Sequence, residues 1–127
     1  MKKHINNILG CSPYRGRKGI EPLGGKGIYM LNEPQRLTNN KLKILNNLER
    51  GRLKEVLEKG SIPGIVESDL IYPAVGGRNV TRWGIRDYAY MLVPHENKKG
   101  PHNAIPESTM KIKYSKTYKW LCNFQDI

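Results

Sequence analysis

The sequence predicts a small α+β domain, rich in β-strands, with a helical segment at its C-terminal end. The chain has 127 residues, a length that suits one compact domain. Asp87–Pro94 alternates like a strand, with Tyr88, Tyr90 and Leu92 on one side. In Pro106–Ile127 the apolar residues recur instead at helical spacing. Strands followed by C-terminal helices are typical of the α+β class.

The first part of the chain is predicted to be a loop followed by a short strand. Glycine and proline are frequent in Asn6–Gly27, which favours irregular structure. Gly27–Leu31 is rich in residues that favour strands, and Asn32 and Pro34 then end the run. We expect the loop to display basic side chains to solvent.

The middle of the chain is harder to assign. In Lys41–Lys59 the leucines follow helical spacing, whereas the first four residues alternate like a strand, and an Asn-Asn pair and Gly51 suit a turn. Periodicity alone favours a helix slightly. Gly64–Pro73 is predicted to be one extended run that ends at its proline.

The C-terminal segment is predicted to contain two helices. Ser115 suits the N-cap of the second helix, in which Thr117, Leu121 and Phe124 share one face. The pattern is still running at Ile127, so we expect the chain to be part of a longer protein.

The charge of the chain favours a polyanionic partner. Lys and Arg number 22 against 11 acidic residues, which gives a formal net charge of +11. A field of this sign attracts DNA, RNA or anionic membranes. The plain alternative is a basic protein that does not bind nucleic acids.

Other features argue against a membrane role and a disulfide framework. No apolar stretch reaches the length of a spanning helix, and the apolar run near the N-terminus is too short for a signal peptide. Cys11 and Cys122 do not form a motif, and two cysteines are too few for a disulfide framework. We therefore expect a cytoplasmic protein without a membrane partner.

Two loops combine arginine with groups that recognise nucleic acids. Arginine can form paired hydrogen bonds with guanine and asparagine with adenine, while threonine suits phosphate contacts. Gly76 and Gly77 would let the backbone approach a duplex closely. The bland alternative is a turn whose arginines only face water. The candidate DNA-binding residues are Arg15, Arg17, Lys18, Arg78, Asn79, Thr81, Arg82, Trp83 and Arg86, with Lys98 and Lys99 as phosphate contacts in a polar loop.

A metal-dependent nuclease is the main enzymatic alternative. Asp87, Glu96 and Lys98 match a pattern in which two carboxylates hold Mg²⁺ and a lysine orients water. However, one strand separates the carboxylates, which would place them about 30 Å apart at about 3.3 Å per residue. A solvated charged loop explains these residues better, so we expect no metal site and no catalytic residue.

Four segments together resemble a known family. YRGRKGIEPLGGKGIYMLN, GIVESDLIYPAVGGRNVTRW, YAYMLVP and SKTYKWLCNF resemble the C-terminal target-recognition domain of TaqI-like adenine-N6 DNA methyltransferases and of fused restriction-methylation enzymes. The matching positions are Gly27–Tyr29, Glu67 with Leu70–Trp83, Tyr88–Pro94 and Ser115–Leu121. Ala74-Val75 replaces the usual two leucines, and Ser115 lies where proline is common. By analogy, Lys41–Val56 would be two strands joined by a turn, against the helical spacing.

The resemblance implies sequence-specific binding of double-stranded DNA. The catalytic half of the family is absent, because the chain has neither a glycine-rich S-adenosylmethionine loop nor an Asn-Pro-Pro-Tyr tetrapeptide. We therefore expect residues 1–127 to be one recognition domain without its own cofactor. Its partners would be DNA and a catalytic methyltransferase or nuclease domain of the same polypeptide, which would use S-adenosylmethionine and, for cleavage, Mg²⁺. The alternatives left open are a metal-dependent nuclease and an RNA-binding basic protein.

Overall fold

Two small antiparallel sheets, a separate hairpin and C-terminal helices make up the fold. The computed structural model describes residues 19–96 and 103–127. The prediction of an α+β fold with helices at the C-terminal end is confirmed. The strands are β1 (Met30–Leu31), β2 (Gln35–Arg36), β3 (Lys41–Leu45), β4 (Pro63–Glu67), β5 (Ile71–Ala74), β6 (Val80–Thr81), β7 (Gly84–Ile85) and β8 (Ala89–Leu92). The α-helices are α1 (Lys26–Tyr29), α2 (Lys54–Lys59), α3 (Glu107–Lys113) and α4 (Ser115–Leu121).

The first sheet has the strand order β1–β8–β5, with β8 in the centre. Met91 of β8 lies between Met30 of β1 and Tyr72 of β5, and both pairs of neighbouring strands run antiparallel. At one end of this sheet, Ala74 of β5 pairs with Ala89 of β8. The residues between these two alanines therefore leave and re-enter the sheet at the same place.

The second sheet has the order β2–β3–β4 and lies beneath the C-terminal helices. Alternation along β3 exposes Lys43 and buries Ile44, while Val66 of β4 is fully buried. The side chain of Trp120 in α4 packs against Gly64 of β4, where an added Cβ would overlap the indole ring. Gly64 is therefore required by close packing between helix and sheet.

Trp120 also joins the helix to the sheet through polar and aromatic contacts. Its Nε1 donates a hydrogen bond to the Ile62 carbonyl at 3.1 Å, and its ring lies edge-to-face with Phe124 at 5.2 Å between centroids. The core around these rings is apolar. Its buried members are Ile28, Leu31, Ile44, Val56, Val66, Leu70, Leu92, Met110, Tyr114, Trp120 and Phe124.

The carboxylate of Glu67 caps the N-terminus of α4 from another part of the chain. It accepts hydrogen bonds from the Lys116 N–H (3.1 Å), the Thr117 N–H (2.9 Å) and the Thr117 hydroxyl (2.6 Å). The Glu67 N–H in turn donates to the Thr117 hydroxyl oxygen at 3.3 Å. These bonds satisfy amides that the first turn of a helix leaves without partners. They also attach α4 to the end of β4.

A buried asparagine joins three further segments. Asn46 is fully buried; its Nδ2 donates to the Gly27 carbonyl at 2.8 Å, and its Oδ1 accepts from the Ile62 N–H at 2.6 Å. Its backbone pairs with Leu31 in an isolated bridge. Asn46 thus connects α1, β1 and the entry to β4, and its polar groups are satisfied as burial requires.

Two expectations for the middle of the chain were wrong. Lys41–Lys59 is neither one helix nor two strands: β3 occupies its beginning and α2 its end. The strand gives way to other structure at Asn46, whose side chain forms hydrogen bonds with Gly27 and Ile62, and near Gly51, which packs against the backbone of Gly27.

A prediction for the first part of the chain was also partly wrong, since Gly27–Leu31 is a strand only from Met30 onward.

Two other local predictions also need correction. Gly64–Pro73 is not one extended run, because a 3₁₀ turn at Ser68–Leu70 divides it and its halves enter different sheets. Ser115 is the first residue of α4 and not its N-cap; Tyr114 holds that position without a side-chain hydrogen bond. The cap comes from Glu67 instead. The strand predicted in Asp87–Pro94 is present as β8.

The polar loop before α3 is closed by a short antiparallel bridge. His95 pairs with Ala104, the Glu96 N–H donates to the Asn103 carbonyl at 2.9 Å, and the Ile105 N–H donates to the Pro94 carbonyl at 3.0 Å.

No helix in the described ranges has the length and apolar character needed to cross a membrane.

The Glu67 cap predicts a pH-dependent contribution to stability. Burial alone would raise the pKa of Glu67, but the hydrogen bonds from Thr117 and Lys116 outweigh burial and lower the pKa. A carboxylate with a lowered pKa in the folded state contributes stability above its unfolded pKa and loses it as the pH falls through the folded value. Glu67→Gln should therefore lower the free energy of unfolding by about 1–2 kcal/mol at neutral pH, after allowance for partial exposure.

Urea denaturation of both proteins at neutral and acid pH measures this effect. The difference between wild type and Glu67→Gln should shrink in acid, where both side chains are uncharged. Glu49→Gln is the matched control, since its exposed carboxylate has no hydrogen-bond or ion-pair partner among the described residues. A difference that stayed constant with pH would contradict the assigned role of the charge.

Candidate nucleic-acid interface

The segment between the two sheet strands β5 and β8 forms a projecting arm. We call Val75–Tyr88 the arm. It contains a 3₁₀ turn at Gly77–Asn79 and the two-stranded hairpin of β6 and β7. Every residue of the arm is exposed except Asn79. The arm therefore presents nearly all of its side chains to solvent.

The buried side chain of Asn79 holds the two ends of the arm together. Its Oδ1 accepts a hydrogen bond from the Gly76 N–H at 2.8 Å, and its Nδ2 donates to the Asp87 carbonyl at 2.6 Å. Its backbone carbonyl accepts from the Arg86 N–H at 2.9 Å. Asp87 has φ of 51°, a left-handed conformation that aspartate tolerates better than most residues. These bonds fix the turn from which the hairpin projects.

The expectation that Asn79 contacts adenine is revised by this geometry. Both polar groups of its side chain are used inside the arm, and the residue is only 7% exposed. Thr81 is also engaged, since its hydroxyl donates to the Gly84 carbonyl across the hairpin at 2.9 Å. In this structure Asn79 positions the arm, and Thr81 steadies its tip.

The tip of the arm is a two-residue turn made of Arg82 and Trp83. Thr81 pairs with Gly84 directly beneath them. The Arg82 guanidinium lies over the Trp83 ring, 5.1 Å from its centroid, which is a cation–π arrangement. The side chain of Trp83 remains 88% exposed. The most projecting part of the arm is thus a cation stacked on an aromatic ring.

The arginines of the arm are available to a partner. Arg78, Arg82 and Arg86 are exposed, and in the described part of the chain none of them forms an ion pair with a carboxylate. Asp87 is the acidic residue within the arm, so three positive charges face one negative charge. Where a Cβ at Gly77 would lie, no atom comes within 4 Å, so the backbone surface there is bare.

Tyr88, the last residue of the arm, and Tyr90 beyond it extend this surface, and the sequence did not single them out as a site. The rings of Tyr88 and Tyr90 lie edge-to-face at 5.6 Å between centroids. A hydrogen bond with Tyr88 raises the pKa of the Tyr90 hydroxyl. Tyr90 also lines a cleft of about 520 Å³ that contains Arg36 and Lys41. The strand alternation that places both tyrosines on one face was the available signal.

The remaining predicted site residues are placed as follows. Arg15, Arg17, Lys18, Lys98 and Lys99 lie outside the described residues. Asp87 and Glu96 of the alternative nuclease site lie beyond opposite ends of β8. Within residues 19–96 and 103–127, no group of three or more His, Cys, Asp or Glu side chains is arranged to hold a metal ion.

The two side-chain hydrogen bonds of Asn79 predict that this residue stabilises the conformation of the whole arm. Asn79→Ala removes both side-chain hydrogen bonds and should make the arm easier to open, at a cost of about 1–2 kcal/mol. Hydrogen exchange of the arm amides should accelerate and, for the predicted DNA binding, the affinity for every duplex should fall by a similar factor. Asn32→Ala, at an exposed site whose side chain has no hydrogen bond among the described residues, is the control. A loss of preference at one base pair with unchanged hydrogen exchange would instead indicate a base contact.

Comparison with known proteins adds no assignment. No family model, curated protein or solved structure matches the chain significantly. The arm itself, with its three arginines, its exposed tryptophan and its ends joined by Asn79, is the feature that suggests a function.

Proposed function

We propose that this chain binds double-stranded DNA through the arm, as the target-recognition domain of a restriction-modification enzyme. The observation that supports this most is the combination of three arginines without ion-pair partners in the described residues and an exposed tryptophan on one ordered projection. The formal charge of +11 would bring the chain to DNA, and the arm would then make the specific contacts.

The shape of the arm suits the major groove. That groove is about 12 Å wide in B-DNA and admits a two-stranded β-ribbon. The β6–β7 hairpin is such a ribbon, and its neighbouring strands belong to a sheet that would remain outside the groove. Because the hydrogen bonds of Asn79 hold the two ends of the arm together, the arm would lose less conformational freedom on binding than an unstructured loop would.

The arginines would divide between base edges and phosphates. Arg78 follows the bare backbone at Gly77, and Arg82 lies at the tip, which supports base-edge contacts by both. Arg86 lies near the C-terminal end of the arm and would contact phosphate. Lys98 and Lys99 are proposed as further phosphate contacts, since lysine is a compact charge without a planar fork.

Packing within the domain is compatible with the family resemblance. Glu67 and the arm belong to one of the resembling segments, and α4 belongs to another. These segments meet where Glu67 caps α4. The proposal includes a catalytic methyltransferase or nuclease domain in the same polypeptide, with S-adenosylmethionine and, for cleavage, Mg²⁺ as its cofactors. It also includes a cytoplasmic location.

Two other functions give different results in simple assays. An RNA-binding protein would share the charge, but the major groove of A-form RNA is too deep and narrow for a β-ribbon. At fixed salt, duplex DNA should therefore displace labelled DNA more efficiently than structured RNA does. A metal-dependent nuclease would cleave plasmid DNA with Mg²⁺ and lose that activity in Glu96→Ala. Stronger competition by RNA, or such cleavage, would overturn the proposal.

Substitution of Arg78 or Arg82 should change sequence choice. Loss of a paired arginine–base contact should cost about 1–3 kcal/mol at the correct site and little elsewhere. Selection from a pool of random duplexes should give a consensus with the wild-type chain and a relaxed position in Arg78→Ala or Arg82→Ala. Where the full-length enzyme is at hand, the ratio of cognate to random-duplex affinity measures the same effect.

Two further variants distinguish phosphate contacts from contacts that recognise the DNA sequence. Lys98→Ala should weaken binding to all duplexes alike and reduce the salt slope by about one unit. Arg52→Ala removes an equally exposed arginine outside the arm and should leave the consensus intact. If Arg78→Ala and Arg82→Ala also left the consensus unchanged, the arm would not be the recognition element.

A further inference from the structure

The indole ring at the tip of the arm has one face that no described side chain covers. Trp83 is 88% exposed, whereas Trp120, the other tryptophan, is 4% exposed within the core. Exposed apolar residues are common when they are single and mobile. Here the ring lies in a two-residue turn over a paired hairpin, and a guanidinium lies on its other face. The ring is thus held in an ordered setting.

The chemistry of this ring limits what it can recognise. Indole has one hydrogen-bond donor and no acceptor, so it cannot form the paired hydrogen bonds that distinguish base edges. Its contribution to binding must come mainly from its aromatic face. The Arg82 guanidinium, 5.1 Å from the ring centroid, adds positive charge beside that face. A flat aromatic ring next to an anion matches this pair, and a nucleobase with its phosphate has both features.

Intact duplex DNA does not offer such a face. The bases of a paired duplex are covered above and below by their neighbours, so an aromatic side chain stacks only where a base step opens or a base leaves the helix. Opening is least costly where the base is already unpaired. A protruding tip on a narrow hairpin can reach such a position without bringing the sheets into the groove.

We propose that Trp83, backed by Arg82, stacks on a nucleobase that is unpaired or displaced from the duplex stack. This inference depends on the proposed DNA binding and adds to it the state of the DNA that the arm favours. The arm would thus recognise paired bases through Arg78 and Arg82, and an opened step through the Trp83 ring.

Affinity for matched duplexes tests the preference. One duplex contains a single unpaired nucleotide, and the other has the same flanking sequence fully paired. Wild type should bind the first duplex about tenfold more tightly, a difference typical of one base–aromatic stack. Trp83→Ala should abolish the preference, and Trp83→Phe should retain part of it. Ile112→Ala is the control, because Ile112 is 85% exposed on α3 and lies outside the arm.

Fluorescence reports the stacking directly. Subtracting the spectrum of Trp83→Phe from that of wild type isolates the emission of Trp83, and base stacking should quench it on binding. A 2-aminopurine beside the unpaired nucleotide should change its emission with wild type and much less with Trp83→Ala. Because Trp83 is almost fully exposed, the substitution should leave folding intact, which thermal unfolding verifies.

The results distinguish this inference from the proposed function. If wild type bound neither duplex, the proposed DNA binding would itself fail. If it bound both duplexes equally, or if Trp83 emission stayed unchanged on binding, DNA binding would stand and the stacking role would be wrong. An equal loss of affinity for both duplexes in Trp83→Ala would likewise assign the ring to ordinary groove contact.

Discussion

The hydrogen bonds between Glu67 and the start of α4 connect two parts of the chain that are fifty residues apart. Short helices have little stability of their own in water, so α4 depends on tertiary contacts to persist. The Glu67 carboxylate satisfies its first amides and sets the position of the helix over β4, where Trp120 meets Gly64. The apolar core beneath the helices follows from that placement. A polar interaction at one strand end therefore determines how the largest aromatic side chain is buried.

The arm has a different kind of stability from that of the domain beneath it. Its two ends are fixed by internal hydrogen bonds: the Gly76 N–H donates to Asn79, and the Asn79 side chain donates to the Asp87 carbonyl. Its apolar side chains remain exposed. The left-handed conformation of Asp87 has an energetic cost that these bonds offset. An ordered backbone whose arginines form no ion pair with any described residue suits recognition, because the order is present before a partner arrives. Elsewhere, burial of apolar surface provides most of the stability.

The spacing of apolar residues along the sequence correctly predicted the elements that bury one regular face. The alternation of Tyr88, Tyr90 and Leu92 correctly indicated β8, and helical spacing indicated the two C-terminal helices. Predictions failed where distant residues decide the structure. The cap of α4 comes from Glu67 and not from Ser115. The composition of the arm indicated a cationic, aromatic surface, but only the folded loop reveals that Asn79 faces inward.

The pairing of Ala74 with Ala89 determines how easily the segment between them could be replaced. Because these residues are neighbours in an antiparallel sheet, any replacement loop need only span two adjacent strands. Loop-closure entropy varies slowly with length, so arms of different size could be exchanged at this point without disturbing either sheet. Binding preference and fold would then be separable properties of the chain. If the arm binds DNA as proposed, grafting another arm between these two alanines would alter the sequence preference and keep the fold.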